Sequence, residues 1–201
     1  MIAIDEAKRA LDIMLHPDSA TKKPMKIGEA LGYYYKLALI PLVISLVLGI
    51  LLGAAASAVL SPYSSVLGVL GAAGTVGAIV GFVLLFFLIL FPVGFFIDAA
   101  VLHFFGKFVF RQFKASYTET FAALVYVASP TVLFYWLTFI PVIGLIMVVF
   151  ELWALVVSIF ALSNLQKTSK LAVIGVAIGT AVVIGIISVI VGVVLGLGLL
   201  Y

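Results

Sequence analysis

Cysteine is absent from the 201 residues, which removes disulfides, thiolate nucleophiles, haem thioethers and cysteine-type zinc or iron–sulfur centres. Charge is scarce as well. Asp, Glu, Lys and Arg make up 9% of the chain against 66% apolar residues, far from the soluble norm of roughly 25% and about 45–50%. A core of this size cannot hide so much apolar surface, so lipid must solvate the rest. The two histidines form no HxxxH or HExxH pattern, which argues against a metal centre. The GxSxG, GxxxxGK[ST] and strand-linked GxGxxG signatures are missing too, as are carboxylates paired on one helix. The expectation is a membrane protein that is not an enzyme and carries no cofactor.

Basic residues are missing from most of the chain. All eleven Lys and Arg fall in three stretches: residues 1–36, 107–114 and 167–170. Since basic residues mark cytoplasmic loops, the partition predicts five crossings with the N-terminus inside and the C-terminus outside. The apolar runs are continuous rather than alternating, which rules out a β-barrel. The reading is therefore an all-α polytopic membrane protein. A cytoplasmic segment over 1–36 precedes a five-helix domain over 37–201, with spans near 37–60, 76–105, 118–140, 145–165 and 171–200. No apolar run in the first thirty-six residues resembles a cleavable signal. A cytoplasmic membrane is the expected site if the source is prokaryotic. The positive charge suits an anionic leaflet better than nucleic acid, because no solvated basic domain exists to follow a phosphate backbone. Lys22, Lys23, Lys26, Lys107, Arg111 and Lys114 are the expected lipid contacts.

Within the first segment, Ile2–Leu15 has helical periodicity. Ala3, Ile4, Ala7, Ala10, Leu11, Met14 and Leu15 share one face, and Asp5, Glu6, Lys8, Arg9 and Asp12 share the other. The pattern reads as a short amphipathic interfacial helix lying in the headgroup plane, with packing on the cytoplasmic loops as the alternative. Tyr33, Tyr34, Tyr35 and Lys36 read as an anchor below the first span, and Phe134, Tyr135, Trp136 and Phe139 as an outer aromatic belt. Pro92 with Gly94 is expected to kink the second span. Small residues recur at four-residue spacing at Ser45, Gly49, Gly53 and Ser57, and in the pairs Gly77/Gly81, Gly175/Gly179 and Gly192/Gly196. Such stripes let helices approach closely. They suggest a homo-oligomer or an interface with another membrane protein.

Ionisable residues inside apolar spans are costly, so each needs a reason. Glu151 is expected to face Ser129, Pro130 and Thr131 across the hairpin formed by the third and fourth spans. There it would donate to a hydroxyl or to the Tyr126 carbonyl that Pro130 leaves without a helical partner. That contact either fixes two helices together or handles protons or cations. Asp98 is expected near the cytoplasmic interface, and His103 beside it. A small ion or solute channel using Glu151 and Asp98 is thus the alternative to a scaffold.

From about Ala99 onward the order of features resembles the Yip family of multi-span membrane proteins, relatives of the Ypt/Rab-GTPase-interacting proteins. The features are Ala100-Val101-Leu102-His103, Tyr117-Thr118-Glu119-Thr120, Val125-Tyr126-Val127-Ala128-Ser129-Pro130, Ile140-Pro141-Val142-Ile143-Gly144 and Glu151-Leu152-Trp153. The resemblance implies five spans and a role in membrane organisation or trafficking. It also implies a small GTPase or another membrane protein as partner. The long N-terminal region and aspartate-leucine-tyrosine-glycine motif of eukaryotic members are missing, so GTPase binding does not carry over, and the resemblance is to the short, prokaryote-like branch.

Overall fold

The computed structural model describes residues 2–60, 72–140 and 143–198. The sequence also reads as uncharged turns at 61–65 and 141–144 and a glycine-rich run at 68–74; these fall wholly or partly outside the described residues. So do the surroundings of Gly53, Ser57, Gly192 and Gly196. Among the described residues the chain is helical without strands.

Helix α1 covers Ile2–Leu15 and ends where His16 precedes Pro17, which opens the single turn of α2 (Pro17–Ala20). Proline fits there because its missing N–H would be unpaired in a first turn anyway. Helix α3 runs over Ile27–Leu60 and starts ahead of the span expected at 37. Glu29 explains the early start: its carboxylate accepts from the Lys26 backbone N–H at 3.1 Å, satisfying a donor that a helix leaves free at its N-terminus. Tyr33, Tyr34 and Tyr35 therefore lie inside the helix and, about 100° apart, point in three directions.

Helices α4 (Ala72–Leu85) and α5 (Phe91–Phe104) form one rod interrupted by a π-helical turn at Phe86–Leu90, and a second π-helical turn at Phe105–Val109 extends it. Helix α6 (Tyr117–Phe134) is capped by Ser116 and Glu119 in a reciprocal capping box. Helix α7 (Ile146–Gln166) ends on Lys167 in the left-handed conformation, and α8 covers Lys170–Gly198. Five helical stretches are long and apolar enough to cross a membrane: Ile27–Leu52, Gly77–Val109, Tyr117–Thr138, Ile146–Gln166 and Lys170–Ile187.

The core is an aromatic cluster at the π turn. Tyr34 meets Phe91 and Phe95, and Tyr135 stacks on Phe86 and meets Phe87 and Phe91 edge-on. Tyr135, expected in an outer belt, thus packs inward, where edge and stacked ring pairs each add about 0.5–1.5 kcal/mol beyond burial. The small-residue stripe of α3 also works inside the bundle. Ser45 and Gly49 are buried, and a Cβ on Gly49 would come within 2.7 Å of the Ile79 side chain on α4. At Gly49, then, the stripe serves α3–α4 packing. Gly179 carries the ring of Phe110, and Gly106 that of Phe113, each too closely for a Cβ. Gly77, Gly81 and Gly175 have open space instead.

The three basic stretches converge on one end of the bundle. The Lys114 N–H donates to the Gln166 carbonyl at 3.3 Å. Asn164 Nδ2 donates to the Asp18 carbonyl at 2.9 Å and to Thr21 Oγ1 at 3.1 Å.

Candidate functional site

Arg9 is the centre of the most elaborate site. Helix α1 packs against α3, α6 and α7, burying Ala10 and Ile13 completely. Ile13 is buried although it lies outside the apolar face read from the sequence, and Ile4, Leu11 and Leu15 of that face stay exposed. This orientation swings Arg9, which adjoins the buried face, into the gap between α3 and α6. Its guanidinium lies over the rings of Tyr33 and Tyr126, at 4.8 Å and 5.2 Å from their centroids. Nη2 donates to the Tyr126 hydroxyl at 2.6 Å and lies 3.6 Å from the Met25 sulfur. The Tyr126 hydroxyl donates in turn to the Lys23 carbonyl at 2.8 Å. Tyr126 is fully buried halfway along α6, so one side chain ties α1, the 22–26 linker and the interior of α6 together. Charge-assisted hydrogen bonds contribute about 1.5–3 kcal/mol, and a desolvated cation–π contact about 2.

Further bonds pin the same segment. Trp153 Nε1 on α7 donates to the Met14 carbonyl at 2.8 Å, and Lys36 Nζ lies 3.6 Å from Glu6. Tyr33, buried beneath Arg9, has a hydroxyl without a hydrogen-bond partner among the described residues. Its neighbour Ser129 donates to the Val125 carbonyl at 2.7 Å.

A second cluster reinforces the π turn. The Phe91 N–H bonds back to the Phe86 carbonyl, so it cannot serve Phe87. Pro92 has no N–H, which deprives both Phe87 and Leu88 of a donor. The hydroxyls of Tyr34 and Tyr35 donate to those two carbonyls, at 2.6 Å and 3.2 Å. Two consecutive tyrosines on α3 thus satisfy the two carbonyls that one proline exposes. The interruption expected at Pro92 is a π turn just before it, and its cause is this proline.

The third cluster joins α5, α6 and α7 at the basic end. Gln166 is fully buried. Its Oε1 accepts from the Ala115 N–H at 3.1 Å, and its Nε2 donates to the Ser116 carbonyl at 3.1 Å and to Thr120 Oγ1 at 2.9 Å. His103 Nδ1 stands 2.8 Å from the same Thr120 oxygen. His103, expected at the interface, is thus buried among protein partners. Lys107 Nζ donates to the Ala115 carbonyl at 3.3 Å.

Glu151 does not join the group expected around it. It is exposed, and among the described residues it forms neither an ion pair nor a hydrogen bond. Ser129 turns to its own helix, and the Tyr126 hydroxyl is taken by Arg9 and Lys23. Pro130 is buried beside Ser129, Thr131 is half-buried, and Asp98 is exposed on α5. The reason for the mismatch is that facing positions on a hairpin fix depth but not azimuth. Lys22, Lys23, Lys26, Arg111 and Lys114 are exposed. No group of three His, Asp or Glu side chains suited to a metal occurs among the described residues.

Arg9, the tyrosine donors and Gln166 carry a signal that sequence reasoning passed over. Arg9 neighbours the apolar stripe of α1, and three tyrosines precede a span whose partner contains a proline. A family model described as the Yip1 domain matches residues 11–196, including Tyr33, Tyr126 and Gln166 and starting two residues after Arg9. No curated protein matches, and no solved structure does.

Proposed function

The chain belongs to the Yip1-domain family of membrane proteins, and on that premise we propose that it is a non-enzymatic scaffold or adaptor in membrane organisation or trafficking. The N-terminus and the three basic stretches then face the cytoplasm, and partners dock there. The observation that carries this reading is the state of the polar groups. Arg9, Tyr126, His103, Thr120 and Gln166 are spent on holding helices together, while Glu151 and Asp98 lie on exposed faces. The interior at the π turn is filled by the aromatic cluster of Tyr34, Phe87, Phe91, Phe95 and Tyr135. A conducting path needs polar groups along a wetted interior. A scaffold needs a rigid bundle with one recognisable polar end.

Proteoliposome flux and partner capture separate the two roles. The purified chain should pass neither protons nor small cations above empty-liposome background. Cross-linking in native membranes should recover a membrane-protein partner, or a second copy, through residues of the basic end. Flux that vanishes in Glu151→Gln with the fold intact would overturn the scaffold reading.

A further inference from the structure

Between α1 and the first turns of α3 lies a cleft of about 460 Å³ whose walls include Arg9, Lys23, Lys36, Glu6 and Glu29. Both carboxylates have partners within the protein: Glu6 lies 3.6 Å from Lys36 Nζ, and Glu29 accepts from the Lys26 N–H at 3.1 Å. Arg9 and Lys23 have no carboxylate within ion-pair distance among the described residues. Arg9 spends Nη2 on Tyr126 and Met25, which leaves other N–H groups of its guanidinium fork unspent. A half-buried guanidinium without a counter-anion is costly, and its planar donors suit a phosphate oxygen. At Lys36 the cleft adjoins a second cavity of about 210 Å³. That groove is almost wholly apolar, with Ala38, Leu39 and Leu42 of α3 on one side and Leu88 on the other. A charged cleft that passes at one lysine into an apolar groove has the polarity of a phospholipid.

We propose that the cleft and groove together bind one anionic phospholipid, its phosphate held by Arg9 and Lys23 and an acyl chain lying past Lys36 along Leu39, Leu42 and Leu88. The cleft's three cations face two carboxylates, and this excess of positive charge prefers phosphatidylglycerol to phosphatidylcholine, whose headgroup brings a cation of its own. The apolar groove distinguishes a lipid from a soluble phosphate, which has nothing to place there.

The test is native mass spectrometry of the delipidated full chain in detergent. The probes are dioleoylphosphatidylglycerol, dioleoylphosphatidylcholine and soluble glycerol 3-phosphate. The parent protein should retain one phosphatidylglycerol, about ten-fold more tightly than either other probe, the scale of one charge-assisted hydrogen bond. Gly32→Leu fills the cleft from a position where an added Cβ meets no atom within 4 Å. It should lower retention about ten-fold at unchanged thermal stability. Lys23→Gln, at an exposed side chain, should lower it several-fold and serves if Gly32→Leu disturbs folding. Retention unchanged in both variants would overturn the proposal. So would equal binding of phosphatidylcholine, which denies the charge argument, or of glycerol 3-phosphate, which denies the lipid.

Discussion

Helices α6 and α8 are both long and apolar enough to cross a membrane, yet they occupy opposite extremes of the bundle. The membrane-length window of α6 has the lowest mean hydropathy of the five, 1.5, and is 56% buried; that of α8 has a mean hydropathy of 2.4 and is 17% buried. In water the more apolar helix would be the central one. In lipid the order reverses, because hydrocarbon cannot satisfy a hydroxyl or an amide and only protein can. The buried polar residues of α6 have partners accordingly: Thr120 bonds Gln166, Tyr126 bonds Arg9 and Ser129 bonds Val125. Most described side chains of α8 are apolar and exposed, such as Leu171, Ile178, Val182 and Ile186, and lipid serves them as well as leucine would. Polarity, more than hydrophobicity, therefore marks the helix on which the others assemble.

The contrast can be broken most forcefully at Arg9. Arg9→Ala removes both cation–π contacts and the bond to Tyr126, and should destabilise the protein by about 3 kcal/mol. Unfolding by SDS titration in mild detergent would read the loss, and an unchanged midpoint would show that α1 is not fixed through α6. Gln166→Leu strips the buried knot of its organiser and leaves the Ala115 N–H and the Thr120 hydroxyl poorly served. A loss of about 2–3 kcal/mol is expected by the same titration. Tyr34→Phe leaves the Phe87 carbonyl without its donor while keeping the ring. It should cost about 1–2 kcal/mol, and hydrogen exchange at the π turn should rise with it.

On α8 the expected effects shrink. Gly175→Leu enters open space and should stay within about 0.5 kcal/mol of the parent protein. Gly179→Leu must displace the Phe110 ring and should cost more than its neighbour four residues earlier. Equal effects would show that α8 does not seat on Phe110. Glu151→Gln is the mildest change and should leave stability and liposome permeability untouched.

Much of the fold is legible in the sequence. Continuous apolar runs specify five long helices, and the gaps in the basic residues delimit them. Ser116 and Glu119 carry a capping-box spacing that could have fixed the start of α6 to the residue. Helix azimuth was not legible. Pairing Glu151 with Ser129–Thr131 assumed a rotation that hairpin depth does not supply, and in the structure Ser129 turns to its own helix while Glu151 faces outward. Reading Tyr33, Tyr34 and Tyr35 as an interfacial anchor treated three residues as one feature. Their 100° separations instead send Tyr33 toward Arg9, and Tyr34 and Tyr35 toward two orphaned carbonyls. Arg9 looked like part of a solvated face because a helical wheel assigns every charge to the polar side.

The sequence alone determined the class of the protein, its helix count and the grouping of its charges, since lipid solvation and backbone satisfaction act on composition and run length. Only the tertiary structure decided which polar groups meet. Tyr126 lies 117 positions from Arg9, and Tyr34 lies 53 from Phe87. Contacts at such separations depend on helix rotation and register, which the packing of the whole bundle sets together.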